Sequence, residues 1–213
     1  MKYDLVIFDC DGTLVDSEPL TMRLLAQMML EIGVKEDYEW LLENFAGKNM
    51  KAITDLIEDH IGPFDALAFE EDYRTSCVSL FQQELQPISG VIDLISSIPC
   101  AKCIASNGPQ RKMKLSLSST GIDQLFHPEH IFSAYDIQKW KPDPALIHYA
   151  LERMNVSASK AVLIEDTMSG VMAGLNAEVD TIAFNPEQEQ KLLNSGATNF
   201  TRMEDIKQYL LSS

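Results

Sequence analysis

Leu5-Val6-Ile7-Phe8-Asp9-Cys10-Asp11-Gly12-Thr13-Leu14 is the stretch that decides the fold. Four consecutive apolar residues bounded by polar ones read as a short buried strand. The strand stops at Asp9, and Gly12 lets the backbone turn sharply or approach a ligand. Asp9 and Asp11, two positions apart on extended chain, point to the same side with ~6–7 Å between them.

The same punctuation recurs further along. After residue 88, short apolar runs at 102–105, 130–133, 161–164 and 181–184 alternate with helical patterns near 89–98, 110–120, 143–154, 167–177 and 203–211. Alternation of this kind predicts βα units and a parallel sheet, a doubly wound, Rossmann-like α/β core. Pro142 and Pro144 mark a helix start, because proline suits the first helical turn and keeps its predecessor out of helix.

Residues 17–86 follow a different rule. They carry no strand-like run, and Leu20, Leu24 and Met28, then Leu41, Leu42 and Phe45, then Ile53, Leu56 and Ile57 recur at helical spacing. The chain therefore divides into an α/β body, 1–16 with 87–213, and an inserted all-helical unit, 17–86, joined by two crossings as a hinged lid would be. Met22, Met28 and Met29 read as core of that unit.

Composition limits the partners. Of 213 residues, 46% are apolar and 23% charged, an ordinary globular balance. Seventeen Lys and Arg face 32 Asp and Glu for a formal charge of -15, which repels nucleic acid and anionic membrane. No basic leader and no run of ~18 apolar residues is present, so a cytoplasmic chain is expected. Cys10, Cys77, Cys100 and Cys103 are too scattered for a disulfide framework; Cys100 and Cys103, three apart at the start of a strand, point to opposite faces. The four histidines fit no ligand or triad spacing.

A second acidic pair, Glu165-Asp166, ends the run at 161–164, followed by Thr167, Ser169 and Gly170. Each pair alone could cap a turn at a strand end. If the two strands are neighbours, four carboxylates meet at the sheet edge where open α/β folds bind ligands. Hard oxygen donors without histidine or thiolate select Mg2+ over Zn2+. Ser106-Asn107-Gly108-Pro109 reads either as a helix N-cap or as a phosphate cradle. Lys141 precedes a stiff Pro142-Asp143-Pro144 turn and by itself reads as surface solvation, as do Arg111, Lys112 and Lys114 on one helix. Even so, segment 102–141 holds 6 basic against 3 acidic residues in an acidic chain, and an anion could be steered there.

The order Asp9-x-Asp11-Gly12-Thr13, Ser106, Lys141-Pro142-Asp143-Pro144, Glu165-Asp166-Thr167-x-x-Gly170 resembles the four motifs of the haloacid-dehalogenase-like phosphohydrolases, over nearly the whole chain. The helical insert is similar to the cap of the β-phosphoglucomutase-like subgroup. Residues 132–141 with 106–109 look most like bacterial phosphatases of sugar phosphates or phosphorylated sugar acids such as 6-phosphogluconate. The resemblance implies Asp9 as nucleophile passing through a phospho-aspartate and Asp11 as general acid and base. It further implies Thr13, Ser106, Asn107 and Lys141 as phosphate ligands, and Mg2+ held by Asp9, Asp11 through its carbonyl, Glu165 and Asp166. The expected partner is a small phosphorylated metabolite, and a monomer is expected.

Where the subgroup tends to carry Gly-x-x-Arg in the cap, this chain has Gly47-Lys48-Asn49-Met50. A mutase must grip a second phosphate, which a thioether cannot do, so phosphatase is favoured over a β-phosphoglucomutase-type mutase. Lys48 and Lys51 are the cap residues that could contact substrate. Residues 37–85, with 11 acidic and 3 basic side chains, suit small substrates better than phosphorylated macromolecules. A phospho-accepting signalling module also gathers carboxylates and a lysine, but lacks an acid two residues past the phosphorylated aspartate and needs no lid.

Overall fold

The computed structural model describes residues 2–45 and 50–212. In chain order these form β1 (Leu5–Phe8), α1 (Glu18–Glu31), α2 (Tyr38–Phe45), α3 (Met50–Ile61), α4 (Ala66–Glu84), α5 (Val91–Ser97), β2 (Ala101–Ser106) and α6 (Gln110–Thr120). There follow β3 (Ile131–Ser133), α7 (Ala134–Ile137), α8 (Ala145–Met154), β4 (Ala161–Glu165), α9 (Met168–Asn176), β5 (Asp180–Phe184), α10 (Gln190–Leu193), β6 (Thr198–Phe200) and α11 (Met203–Ser212). The chain separates into two compact units, Met1–Asp16 with Gln86–Ser213, and Ser17–Leu85.

In the first unit six strands make one sheet in the order β3-β2-β1-β4-β5-β6, with every pairing parallel. Each residue of β1 and of β4 is buried, which explains why both read as unbroken apolar runs: helices cover the sheet on both faces, so no polar side is tolerated. Leu5, Ile7, Cys103, Leu146, Ile147 and Leu163 belong to one continuous core cluster. This is the doubly wound α/β fold that the alternating pattern predicts.

One strand departs from expectation. β6 carries Thr198, Asn199 and Phe200 at the sheet's edge, with none of the three fully buried. An edge strand that hides little surface needs no apolar run, and so it left no periodic signal.

The second unit is helical throughout its described residues. Pro19 in the first turn fits the start of α1, and Asp65 caps α4 by accepting from the Ala68 N–H at 3.0 Å. Met22, Leu25, Met29, Phe45, Ile57 and Phe69 form its core, with Met28 packed at the margin. Gly47 and Lys48 lie outside the described residues, as does Asn49 beside them.

Candidate active site

β1 and β4 are adjacent and parallel, and the chain leaves β1 toward β2 on one side but enters β4 on the other. The sheet order reverses between them, and the loops there part to leave a crevice at the carboxyl ends of the strands. Asp9 follows β1, and Glu165 closes β4. The Asp9 N–H donates to the Ile164 carbonyl at 3.0 Å, extending the pairing to the point where the side chains emerge. Beyond it the chain curls at once: the Leu14 and Val15 N–H groups donate to the Cys10 carbonyl, and Gly12 takes φ +78°.

Lys141 joins the two strand ends. Its Nζ donates to Asp9 Oδ1 and to Glu165 Oε1, each at 2.7 Å, with all three side chains buried. Burial pushes the Asp9 carboxyl up to about 7; Lys141 opposes this and Glu165 adds to it. For Lys141, burial acts downward, but Asp9 and Glu165 outweigh it and leave the ammonium held above its ordinary range. An isolated surface lysine is therefore the wrong reading of Lys141. Cys10, between the two aspartates, is buried, and that burial pushes its thiol well up, so it is inert packing.

Glu165, expected as a metal ligand, has bonds on both oxygens. While Oε1 holds Lys141, Oε2 accepts from the Thr167 N–H at 2.8 Å and the Thr167 hydroxyl at 2.9 Å. A Cβ on Gly170 would overlap this carboxylate, which explains why a residue without a side chain stands there. Glu165 thus ties Lys141 to the turn at Thr167.

Thr13 and Asn107, expected as phosphate ligands, are bonded within the protein. The buried Thr13 hydroxyl donates to Asp166 Oδ1 at 2.7 Å. Asn107 clamps the backbone of Lys141, accepting from its N–H at 2.9 Å and donating to its carbonyl at 3.4 Å. Ser106 remains: buried, with Oγ accepting from the Gly108 N–H at 3.2 Å. Ser133, which the sequence did not single out, donates to the Gly108 carbonyl at 2.7 Å and steadies that turn from the end of β3.

Asp11 Oδ2 accepts from Lys112 Nζ at 2.8 Å. The solvated-face reading of Lys112 is thereby corrected. The signal was available in principle, because the first turn of a helix that follows a parallel strand lies at the ligand-binding edge of the sheet. In the helical unit, Lys51 is exposed and bonded to Asp55 one turn along its own helix, at 2.7 Å; it joins no cluster there.

The donor set bears on a metal ion. A Cβ on Gly12 would collide with the Asp166 carboxylate, so that carboxylate lies directly against the Gly12 backbone. Burial pushes the Asp166 carboxyl well up, and repulsion from Glu165 and Asp9 adds to it. Negative charge is thus packed more densely than Lys141 alone balances. Among the described residues no three His, Cys, Asp or Glu side chains form a ready-made cage. Mg2+ typically takes one or two carboxylates and completes its shell with water and phosphate. Asp9 and Asp166, carboxylates following adjacent strands, are donors of the type such an ion takes.

Comparison with known proteins agrees with this geometry. The sequence pattern of the family described as haloacid dehalogenase-like hydrolase matches residues 6–184. The chain is 35% identical over 207 residues to 6-phosphogluconate phosphatase of Escherichia coli (strain K12), spanning 96% of this chain and 93% of that protein. It is 27% identical to the phosphorylated carbohydrates phosphatase of Thermotoga maritima, over 95% of this chain and 96% of that protein. Among solved structures, a putative beta-phosphoglucomutase from Thermotoga maritima has the same fold, with a TM-score of 0.85 at 23% identity over 98% of this chain and 99% of that one. No helix among the described residues is long and apolar enough to cross a membrane.

Proposed function

The chain belongs to the haloacid dehalogenase-like hydrolases, and on that premise we propose that it is an Mg2+-dependent phosphatase of small phosphorylated metabolites. Hydrolysis of phosphoric monoesters is the activity that its named relatives share. Sugar phosphates and phosphorylated sugar acids such as 6-phosphogluconate are the substrate class, and phospho-Asp9 is the intermediate. The observation that carries the reading is Asp9 held by Lys141 between two strand ends, with a second carboxylate two residues on.

A carboxylate oxygen of Asp9 attacks phosphorus as the bond from phosphorus to the ester oxygen breaks, and Asp11 gives its proton to the departing alkoxide. Asp11 then takes a proton from water, whose oxygen attacks the phosphorus of phospho-Asp9. Inorganic phosphate leaves and the Asp9 carboxylate is restored. Lys141 fixes the Asp9 carboxylate, while the Ser106 hydroxyl donates to a phosphoryl oxygen. Asp9, Asp166 and the Asp11 carbonyl would hold Mg2+, which would supply positive charge against the repulsion between a carboxylate and a phosphate dianion. The helical unit takes the part of a cap in this reading, and its residues set specificity. A reduced, cytoplasmic setting suits four free thiols.

The test is phosphate release from a panel of phosphorylated sugars and sugar acids with Mg2+, 6-phosphogluconate included. Turnover is expected for members of that class and should fall by about 10^4-fold or more in Asp9→Asn. Full activity in that variant would remove Asp9 as nucleophile, and isomerisation without phosphate release would make the protein a mutase.

A further inference from the structure

Lys112 is not needed by any step above, yet its place is specific. It stands in the first turn of α6, and its ammonium donates to Asp11 Oδ2 at 2.8 Å. The two side chains keep 37% and 30% of their surface exposed, so this ion pair is open to solvent. Such pairs add little to stability, and holding the fold together is a poor account of it. The carboxylate it grips is beside the phosphate-binding turn: Asp11 Oδ2 and Ser106 Oγ are each 3.6 Å from the point where a Cβ on Gly108 would stand.

Asp11 lies on a loop past the end of β1, where an aspartate has several rotamers open to it. A proton reaches a leaving oxygen only from within hydrogen-bond distance. A lysine reaching over from α6 selects the rotamer that keeps the carboxylate beside Ser106, and with it beside the phosphoryl group that Ser106 receives.

We propose that Lys112 is a positioning residue for proton transfer by Asp11, and that it adapts the site to alkyl phosphates, whose alkoxide must be protonated as it leaves. The inference rests on the phosphatase reading. In the step concerned, a bond forms from Asp9 oxygen to phosphorus and the bond from phosphorus to the ester oxygen breaks. The Asp11 proton passes to that oxygen, leaving a carboxylate still bonded to Lys112. A p-nitrophenolate leaves readily without a proton, so a displaced Asp11 costs that reaction little.

The experiment compares Lys112→Ala, Lys112→Arg and the parent protein with Mg2+, on p-nitrophenyl phosphate and on 6-phosphogluconate. The quantity compared is kcat/KM, which covers the chemistry only as far as the first irreversible bond cleavage. Lys112→Ala should lose about tenfold or more on the alkyl ester and no more than about threefold on the aryl ester. Lys112→Arg, which keeps a cation there, should recover most of the alkyl activity. Equal losses on both esters overturn the inference, since Lys112 would then bind the phosphoryl group or support the fold. Undiminished alkyl turnover in Lys112→Ala overturns it too. A parent protein that cleaves only the aryl ester refutes the adaptation to alkyl phosphates, and one that cleaves neither ester sinks the phosphatase reading and the inference together.

Discussion

Lys141→Met removes the ammonium that Asp9 and Glu165 share, 2.7 Å from each, while keeping a side chain of similar length. The lysine side chain is only 2% exposed, so water cannot replace it. Taking one partner from a buried ion pair costs ~3–5 kcal/mol, because the remaining charge stays buried and uncompensated. For a chain of this size each kcal/mol lowers Tm by ~2–4 °C, so the variant should melt ~6–20 °C lower at pH 8. The deficit depends on pH in a definite direction. Asp9 already stands at about 7 with Lys141 present, and removal of the cation raises it further. Below that value the carboxyl is protonated in both proteins, and the lysine has little charge there to neutralise. Above it the parent ionises beside an ammonium, whereas the variant must ionise without one. The Asp9 share of the deficit therefore opens as pH rises through about 7 and is absent well below. Metal-free melts followed by circular dichroism at pH 5.5 and 8 would measure it. A deficit of equal size at both values, or none at pH 8, would refute the account of Lys141 as counter-ion to Asp9.

The metal-free parent protein should itself lose stability as pH rises from about 4 to about 7 and level off above, because in that window unfolded Asp9 releases its proton while burial keeps the folded carboxyl, raised to about 7, protonated. Mg2+ at a hundredfold its Kd should return ~2.7 kcal/mol and raise Tm more at pH 8 than at pH 5.5; an equal rise with NaCl at matched ionic strength would remove the site from consideration. Asn107→Ala breaks the two hydrogen bonds to the Lys141 backbone and should cost ~1–2 kcal/mol of stability. It should also lower kcat about tenfold with little change in KM, since the nucleophile's anchor shifts while phosphate contacts stay. Steady-state kinetics decide the matter, a raised KM with kcat intact returning Asn107 to the phosphate-ligand role that its sequence position suggests.

The sheet was legible because its central strands are buried on both faces and so cannot carry polar residues: β1 and β4 announce themselves as apolar runs, and the carboxylates that end them stand out. β6 hides little surface and has no such constraint. Which residues come to the crevice could likewise be read, since position at a strand's carboxyl end is a matter of chain order. How they divide the work could not. Glu165 and Asp166 are neighbours of one chemical type, and only the folded backbone turns the first toward Lys141 and the second toward Thr13. Asn107 adjoins Ser106, yet its amide faces the Lys141 backbone. Lys112 looked like a solvated helix residue because its partner is 101 positions away.

Charge balance supports the divalent ion of the proposed reading. Asp9, Asp11, Glu165 and Asp166 come to one sheet edge with Lys141 and Lys112, and both ammonium groups are already bonded to carboxylates. A carboxylate meeting a phosphate dianion at ~4 Å with an effective dielectric of 20 faces ~8 kcal/mol of repulsion, or about six decades of rate. On the proposed reading, Mg2+ would supply the positive charge that the phosphoryl group meets. The same argument separates a phosphatase from a module that merely stores a phosphoryl group. Both need the cation to phosphorylate an aspartate, but only turnover needs a second carboxylate able to carry a proton to the leaving oxygen and then to take one from water. Asp11 is placed two residues beyond Asp9 and tethered by a side chain from another element of the core, which is the investment expected of a site that must discharge its intermediate.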